Sequence, residues 1–312
     1  MGKIIVAGQC HDIFKEELSV FNKEIISNPD IDYNSLLAIA PEIEGIVATT
    51  RTAIDKRLID AATKLKWIGR LGSGMDLIDT VYAESKGISC INSPEGNCNA
   101  VAEHVMGLLL NLKNKITNSN LEIKQGIWSR DKNRGDEIYG STVGIIGFGN
   151  TGKALAEKLR GFNVKILVYD KYLSGYGTEN VIESDLNTIA QEADIISLHI
   201  PLTEETFHLA NETFFSSLVK QPYFINACRG KVTDTVSLIN ALKKEQIKAT
   251  ALDVLENESL FTYSAIENEQ LNWLLQQPNV IITPHIAGYS FRATYQMSSI
   301  LADKIIKQFY SK

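Results

Sequence analysis

Two periodicities alternate along the chain. Short apolar, β-branched runs at Lys3–Gly8, Glu24–Ser27, Gly45–Thr50, Trp67–Leu71 and Ile88–Asn92 read as strands. Segments between them, such as Asp55–Ala62 and Asp79–Lys86, have helical spacing behind an acidic cap. This alternation predicts a parallel sheet with helices on both faces, a first α/β domain. Ser93-Pro94-Glu95-Gly96-Asn97-Cys98-Asn99 breaks the pattern and reads as a crossover. A helix is then expected from Ala100 to roughly Lys124, its apolar leading half buried against another domain or another subunit. His104 within it reads as a hydrogen-bonded core histidine rather than a catalyst. After a polar loop at Trp128–Tyr139 the alternation resumes, with strands at Val164–Tyr169, Asp194–His199, Tyr223–Ala227, Ile247–Asp253 and Val280–Ile282 and helices from Asn211 and Asp234. The amphipathic segment Ser290–Phe309 is expected to return to the first domain.

The stretch that organises the second half is Val143-Gly144-Ile145-Ile146-Gly147-Phe148-Gly149-Asn150-Thr151-Gly152. An apolar strand, glycines spaced G-x-G-x-x-G and a helical run describe a strand, a tight turn and a helix. Gly147 allows the sharp turn, Gly149 lets the backbone approach a pyrophosphate, and Gly152 lets helix and strand pack closely. Unpaired N–H groups and the positive dipole end of the helix would face the phosphates. The six residues alone also fit a plain strand-end turn. The following strand ends in Asp170, about 20 residues on, where an acid accepts the ribose hydroxyls and repels a 2′-phosphate. NAD is therefore expected over NADP, with Lys171 next door as the reason to test it.

Composition narrows the function classes. The 312 residues suffice for two domains of ordinary size, and 44% hydrophobic with 22% charged residues is typical of soluble proteins. A net charge of −6 argues against nucleic acid as a partner. No apolar run reaches membrane-spanning length, and the amino-terminal stretch is too short for a signal peptide. Cys10, Cys90, Cys98 and Cys228 lack metal-ligand spacing and disulfide density, so they read as free thiols of a cytoplasmic protein, and no metal is expected.

Polar groups gather at strand ends, where open sheets bind ligands: His199, Arg229, Asp253, Glu258 and His285 in the second half. In the first half, Ala48-Thr49-Thr50-Arg51-Thr52 and Gly69-Arg70-Leu71-Gly72-Ser73-Gly74-Met75-Asp76 occupy such ends. The backbone around Gly72, Ser73 and Gly74 could cradle a carboxylate, or both stretches could be ordinary turns.

At these residues the chain resembles the D-isomer-specific 2-hydroxyacid dehydrogenases, which include phosphoglycerate, glycerate and D-lactate dehydrogenases. The likeness runs from the loop at 69–76 through Ala102-Glu103-His104, the glycine turn with Asp170, His199-Ile200-Pro201-Leu202-Thr203 and Arg229-Gly230 to Thr283-Pro284-His285. It implies an α/β fold of two Rossmann-like domains with parallel sheets. A flavodoxin-like substrate-binding domain, 1–97 with 287–312, would come from both chain ends, and an NAD-binding domain, 98–286, would be inserted between them.

The resemblance also implies roles. Arg229 would fork onto the substrate carboxylate, His285 would exchange the hydroxyl proton as hydride moves to or from the nicotinamide, and Glu258 would orient His285 and favour its protonated form. Glu256 lies close by, and the proline-containing run that often follows the family's glutamate is replaced by Ser259-Leu260-Phe261-Thr262. Substrate contacts are expected from Thr50, Arg51, Ser73, Gly74, Arg229 and His285. Cofactor contacts are expected from Val101, Gly147, Phe148, Gly149, Asn150, Thr151, Gly152, Asp170, His199, Pro201, Thr206, Ala227, Cys228, Arg229, Asp253, His285, Ala287 and Gly288. His199 is expected to shape the pocket rather than transfer the proton.

The expected activity is NAD-dependent interconversion of a small D-2-hydroxy acid and its 2-keto partner, 3-phosphoglycerate among the candidates. Thr49 and Thr50 stand where phosphoglycerate dehydrogenases usually carry Arg-Ser, and Arg70, Lys132 and Arg134 are the spare cations. The chain ends without the regulatory extension some of those enzymes carry, so feedback control by serine is not expected. A homodimer through the helix from Ala100 is expected. The alternative is an NAD-sensing corepressor-like interaction protein, which has no need of a poised base.

Overall fold

The strands run parallel because the connections between them are long enough to carry the chain back to the same end of the sheet before the next strand begins. The computed structural model describes residues 2–50 and 52–311. It falls into two units, Met1–Cys98 with Gly288–Lys312, and Asn99–Ala287.

In the first unit β1 (Lys3–Ala7), β2 (Glu24–Ser27), β3 (Ile43–Ala48), β4 (Trp67–Arg70) and β5 (Ser89–Asn92) form a five-stranded sheet in the order β2-β1-β3-β4-β5. That is the flavodoxin-like order, with every pair parallel. All residues of β3 and β4 are buried, as expected of strands covered on both faces. One face packs on Leu36, Ile54, Leu58 and Ile59. The helix Phe291–Ile305 closes on Gly69, where a β-carbon would sit 3.1 Å from Leu301. A buried acid, Glu44, ties down the end of the chain by accepting from Lys23 at 2.6 Å and from the Tyr310 hydroxyl at 2.8 Å.

In the second unit β6 (Thr142–Ile146), β7 (Lys165–Tyr169), β8 (Val181–Glu183), β9 (Ile195–Leu198), β10 (Tyr223–Asn226), β11 (Ala249–Leu252) and β12 (Val280–Ile282) form a seven-stranded parallel sheet. The order β12-β11-β10-β9-β6-β7-β8 reverses direction between β6 and β9. A doubly wound sheet leaves its ligand crevice at that switch point, outside the carboxyl ends of the strands. Val143, Ile145, Ile195 and Ile225 face one helical layer, and Ile146, Ile196, Leu198 and Phe224 face the other.

The structure departs from the periodicity in two places. The helix expected from Ala100 to about Lys124 is two helices, Cys98–Asn114 and Ile116–Lys124, broken at Lys115, which has φ 52°. Asn111 stabilises the restart, accepting from Thr117 N at 2.9 Å and donating to its hydroxyl at 2.7 Å. The apolar face of the first helix, Val101, Val105, Leu108 and Leu109, is buried in the core of its own unit, so that face offers no free surface to a second copy. The edge strand β8 has only three residues, two of them exposed, too few for an alternating signal. Among the described residues no helix is long and apolar enough to cross a membrane.

Candidate active site

The three glycines of the turn meet three different surroundings. Gly147 has φ +99°, and a β-carbon there would lie 2.4 Å from the carbonyl oxygen of His199. A β-carbon at Gly152 would lie 2.1 Å from the carbonyl oxygen of Gly147, so helix and turn touch through backbone. At Gly149 nothing lies within 4 Å. The backbone is thus tight where the turn must close and open at the middle glycine. The helix Asn150–Leu159 starts there with no side chain capping its first N–H groups, and its first turn includes Thr151. An anion can take the place of the missing cap. Asp170, just after β7, accepts from Phe148 N at 2.7 Å through one oxygen and from Tyr172 N at 2.9 Å and Leu173 N at 3.1 Å through the other. Its carboxylate is held beside the glycine turn, where a ribose would need it. Lys171 pairs with Glu205 at the surface. These residues fit a dinucleotide.

His199 follows β9 at the switch point. Its Nε2 lies 2.9 Å from the Ser197 hydroxyl, and burial pushes its pKa down to about 4. The ring is neutral at physiological pH and carries no extra proton to give there. Thr206 folds the next loop back on itself by donating to the carbonyl of Pro201 at 2.7 Å. Val101 is buried in the core, and Ala227 packs against that core.

Asn226, fully buried at the end of β10, shapes the loop that carries Arg229. Its amide donates to the carbonyl of Arg229 at 2.9 Å and the Thr233 hydroxyl at 3.0 Å, and its oxygen accepts from Cys228 N at 3.0 Å. Arg229 Nη1 donates to the carbonyl of Cys228 at 2.6 Å. Burial pushes the Cys228 thiol up, away from reactive thiolate. The sequence singled out Arg229 and passed over Asn226, whose only signal was a polar residue closing an apolar strand.

His285 sits on a strained turn after β12, with φ 55° and its N–H donating to the carbonyls of Asp253 at 2.8 Å and Thr283 at 3.0 Å. Its Nδ1 lies 2.9 Å from Glu258 Oε2. The neighbouring Glu256 faces elsewhere, with one oxygen 2.5 Å from His208 Nε2 and the other accepting from Thr235 N at 2.8 Å. Glu258 is therefore the carboxylate on His285, and Glu256 does not compete for it.

Asp253, buried at the end of β11, knots this turn together. Its oxygens accept from the Thr283 hydroxyl at 2.5 Å, Ile286 N at 3.0 Å and Ala287 N at 2.8 Å. The Thr283 proton is committed to Asp253, so His104 Nε2, 3.0 Å from the Thr283 oxygen, is the donor to it. Burial raises the pKa of Asp253, but the hydrogen bonds from His104, Thr283, Ala287 and Ile286 outweigh it and hold the carboxyl below its ordinary value. His104 and Thr283 thus support the turn behind His285.

In the first unit, Thr50 and Ser73 are exposed and Gly74 is half-buried at the carboxyl ends of β3 and β4. The Ser73 hydroxyl donates to Asn97 at 3.3 Å, and Asn92 donates to the Ser73 carbonyl at 2.8 Å. Arg51 lies outside the described residues. Of the spare cations, Arg70 bonds the carbonyl of Leu71 beneath Gly72, Lys132 pairs with Glu122 at 2.8 Å, and Arg134 pairs with Asp131 at 3.2 Å.

A glycine turn beside a ribose-type acid, with a carboxylate-bound histidine and an arginine on later strand ends, defines a nicotinamide-dependent oxidoreductase of the doubly wound class. Residues 106–287 match the family described as D-isomer specific 2-hydroxyacid dehydrogenase, NAD binding domain. The chain is 34% identical over 296 residues to a hydroxypyruvate reductase of Thermotoga maritima, covering 94% of this chain and 92% of that protein. It is 33% identical over 309 residues to a D-3-phosphoglycerate dehydrogenase of Archaeoglobus fulgidus, covering 97% of this chain but only 56% of that protein. The solved D-lactate dehydrogenase of Aquifex aeolicus, complexed with NAD and lactic acid, superposes with a TM-score of 0.84 at 28% identity, covering 99% of this chain and 95% of that one. The chain belongs to the D-isomer specific 2-hydroxyacid dehydrogenase family, oxidoreductases that act on the CH–OH group of 2-hydroxy acids with a nicotinamide dinucleotide.

Proposed function

We propose that the chain is an NAD-dependent reductase of small 2-keto acids, working reversibly on the matching D-2-hydroxy acids. The observation that carries this reading is the Glu258–His285 pair at 2.9 Å. With Nδ1 held by Glu258, Nε2 is the nitrogen left to face a substrate oxygen. In reduction it gives its proton to the carbonyl oxygen as the carbonyl carbon becomes C–H; in oxidation it takes the hydroxyl proton. Bound nicotinamide supplies or accepts the hydride. Arg229 forks onto the carboxylate and fixes the acid by its planar end, a geometry lysine does not reproduce. Thr50, Arg51, Ser73 and Gly74 are the expected further contacts to the acid. The remaining cofactor contacts are those expected from the sequence, with Ala287 and Gly288 following the His285 turn.

An unphosphorylated acid is favoured over 3-phosphoglycerate, because Thr49 and Thr50 stand where phosphoglycerate dehydrogenases usually carry Arg-Ser, and Arg70 is turned onto the carbonyl of Leu71. The four free cysteines support a reducing cytoplasm. A homodimer remains the expected assembly. Exposed Ile116, Leu121, Ile123, Ile127 and Trp128, on and after the second of the two helices, supply an apolar surface that the first helix does not.

NADH oxidation with glyoxylate, hydroxypyruvate, pyruvate and 3-phosphohydroxypyruvate tests the reading, with His285→Ala as the control. Turnover that His285→Ala abolishes while NADH still binds is the expected result. Tight NADH binding with no turnover of any 2-keto acid would replace this reading with the NAD-sensing one.

A further inference from the structure

The Glu258 side chain is 46% exposed, so its own surroundings do not pin it against His285. The two residues before it are fixed on opposite sides. Glu256 reaches back to Thr235 N at 2.8 Å and to His208 Nε2 at 2.5 Å. Asn257 reaches forward, donating to Glu267 Oε1 at 3.0 Å and Thr262 Oγ1 at 3.2 Å, while its carbonyl accepts from the Tyr263 hydroxyl at 2.6 Å. Glu267 is itself locked in a capping box with Ser264 at the start of the helix Ala265–Leu275. Behind them the backbone is seated on Gly230, where a β-carbon would fall 1.8 Å from the carbonyl oxygen of Leu255. The loop that carries Arg229 and the loop that carries Glu258 are therefore packed backbone to backbone.

We propose that Glu256 and Asn257 are positioning residues that hold Glu258 on His285, Glu256 by anchoring its loop to the segment after Arg229 and Asn257 by anchoring it to the helix beyond. This rests on the reading of Glu258 and His285 as the acid–base pair. The carboxylates of His208's neighbours Asp234 and Glu256 lie within 4.8 Å of its ring nitrogen, close enough for a metal ion. Each is already engaged: Asp234 caps its helix through Val236 N at 3.2 Å, and Glu256 holds Thr235 N. The group is read as a strut. Losing either anchor lets Glu258 leave hydrogen-bond range, and misplacement by about 1 Å costs up to about a hundredfold in rate.

The test measures kcat on the preferred 2-keto acid, the Kd for NADH, and amide hydrogen exchange across 255–260 for Glu256→Ala, Glu256→Gln and Asn257→Ala, each alone and combined with Glu258→Gln. Expected are a drop of about tenfold in kcat for both alanine variants with the NADH Kd unchanged. Exchange at 257–260 should be faster, and Glu256→Gln should largely recover because its amide oxygen still accepts from Thr235 N. In the Glu258→Gln background neither alanine should lower kcat further, since residues acting through one group are not additive. Parental kcat and exchange in the alanine variants, or losses that multiply on top of Glu258→Gln, would overturn the proposal. If the parental chain reduces no 2-keto acid, the proposed function fails and the exchange measurement alone decides: unchanged protection at 257–260 would sink the anchors as well.

Discussion

Replacing Asp253 by asparagine keeps the volume and removes the charge, and its effect can be worked from the hydrogen bonds. The carboxylate accepts from Thr283, Ile286 and Ala287, three close donors on two oxygens, with His104 Nε2 a longer 3.5 Å from one of them. An asparagine has one acceptor oxygen and an NH2. In one orientation the NH2 meets the Ala287 N–H, in the other the Ile286 N–H, so one buried backbone donor is left without a partner. That costs about 1–3 kcal/mol, and the surviving bonds lose charge assistance worth about 1 kcal/mol more. A total near 3 kcal/mol corresponds to a fall in Tm of about 6–12 °C for a domain of this size. The carboxyl is held below its ordinary value in the fold, so its contribution is present above the unfolded pKa and is lost only as pH falls through the folded one. The gap between the parental chain and Asp253→Asn should be constant from pH 6 to 8 and narrow only below about pH 4. Turnover should fall as well, because the knot carries the His285 turn. Glu258→Gln is the control: half-exposed, it should lose turnover and shift Tm by under about 2 °C. An Asp253→Asn chain melting within 2 °C of the parent at pH 7, by calorimetry, would refute the reasoning.

Gly147→Ala, at φ +99° and with its new methyl 2.4 Å from a carbonyl oxygen, should lower stability by about 2–3 kcal/mol in urea melts and weaken NADH binding at least about tenfold; no change in either would contradict the close approach. Asp170→Ser should raise the KM for NADH about tenfold and narrow the preference over NADPH, measured by parallel kinetics with both; an unchanged ratio would remove Asp170 from ribose recognition. His199 titrates near 4 when folded against a reference value of 6.5, so the unfolded chain takes up a proton that the folded one refuses. The His199 contribution to stability should fall by about 3 kcal/mol between pH 6.5 and 4, and His199→Gln should reduce the slope by that much in urea melts run across the window.

The fold was legible because its signals are local. Alternating strand and helix periods predict parallel sheets, and the glycine spacing after an apolar run locates the first strand of the nucleotide half. What escaped depends on partners distant in sequence or on single dihedrals. Lys115 breaks a helix through one left-handed residue and a side chain four positions back, with no glycine or proline to announce it. The apolar face that suggested a subunit contact turned out to be core, because periodicity reports that a face is buried and not what buries it. In the site, Arg229, Glu258 and His285 could be named from their motifs. Glu258 was expected over Glu256, two positions before it, and the structure supplies the physical reason: His208 and Thr235 occupy Glu256, and Glu258 lies on His285. The service of Thr283 and His104 to the His285 turn likewise passes through Asp253, a buried junction that only three dimensions bring together.

Both sheets taper at their margins. The seven-stranded sheet ends in three-residue strands on either side, and the five-stranded one in four-residue strands. A parallel sheet presents a row of unspent backbone groups along each outer strand, and a long straight border would invite a neighbouring chain to add itself on. With borders of three or four residues, an added strand would find too few ladder bonds to offset its own ordering. Self-association of this chain is thereby left to side chains, where charge and shape select the partner. Raising the concentration should yield discrete assemblies before it yields fibrils.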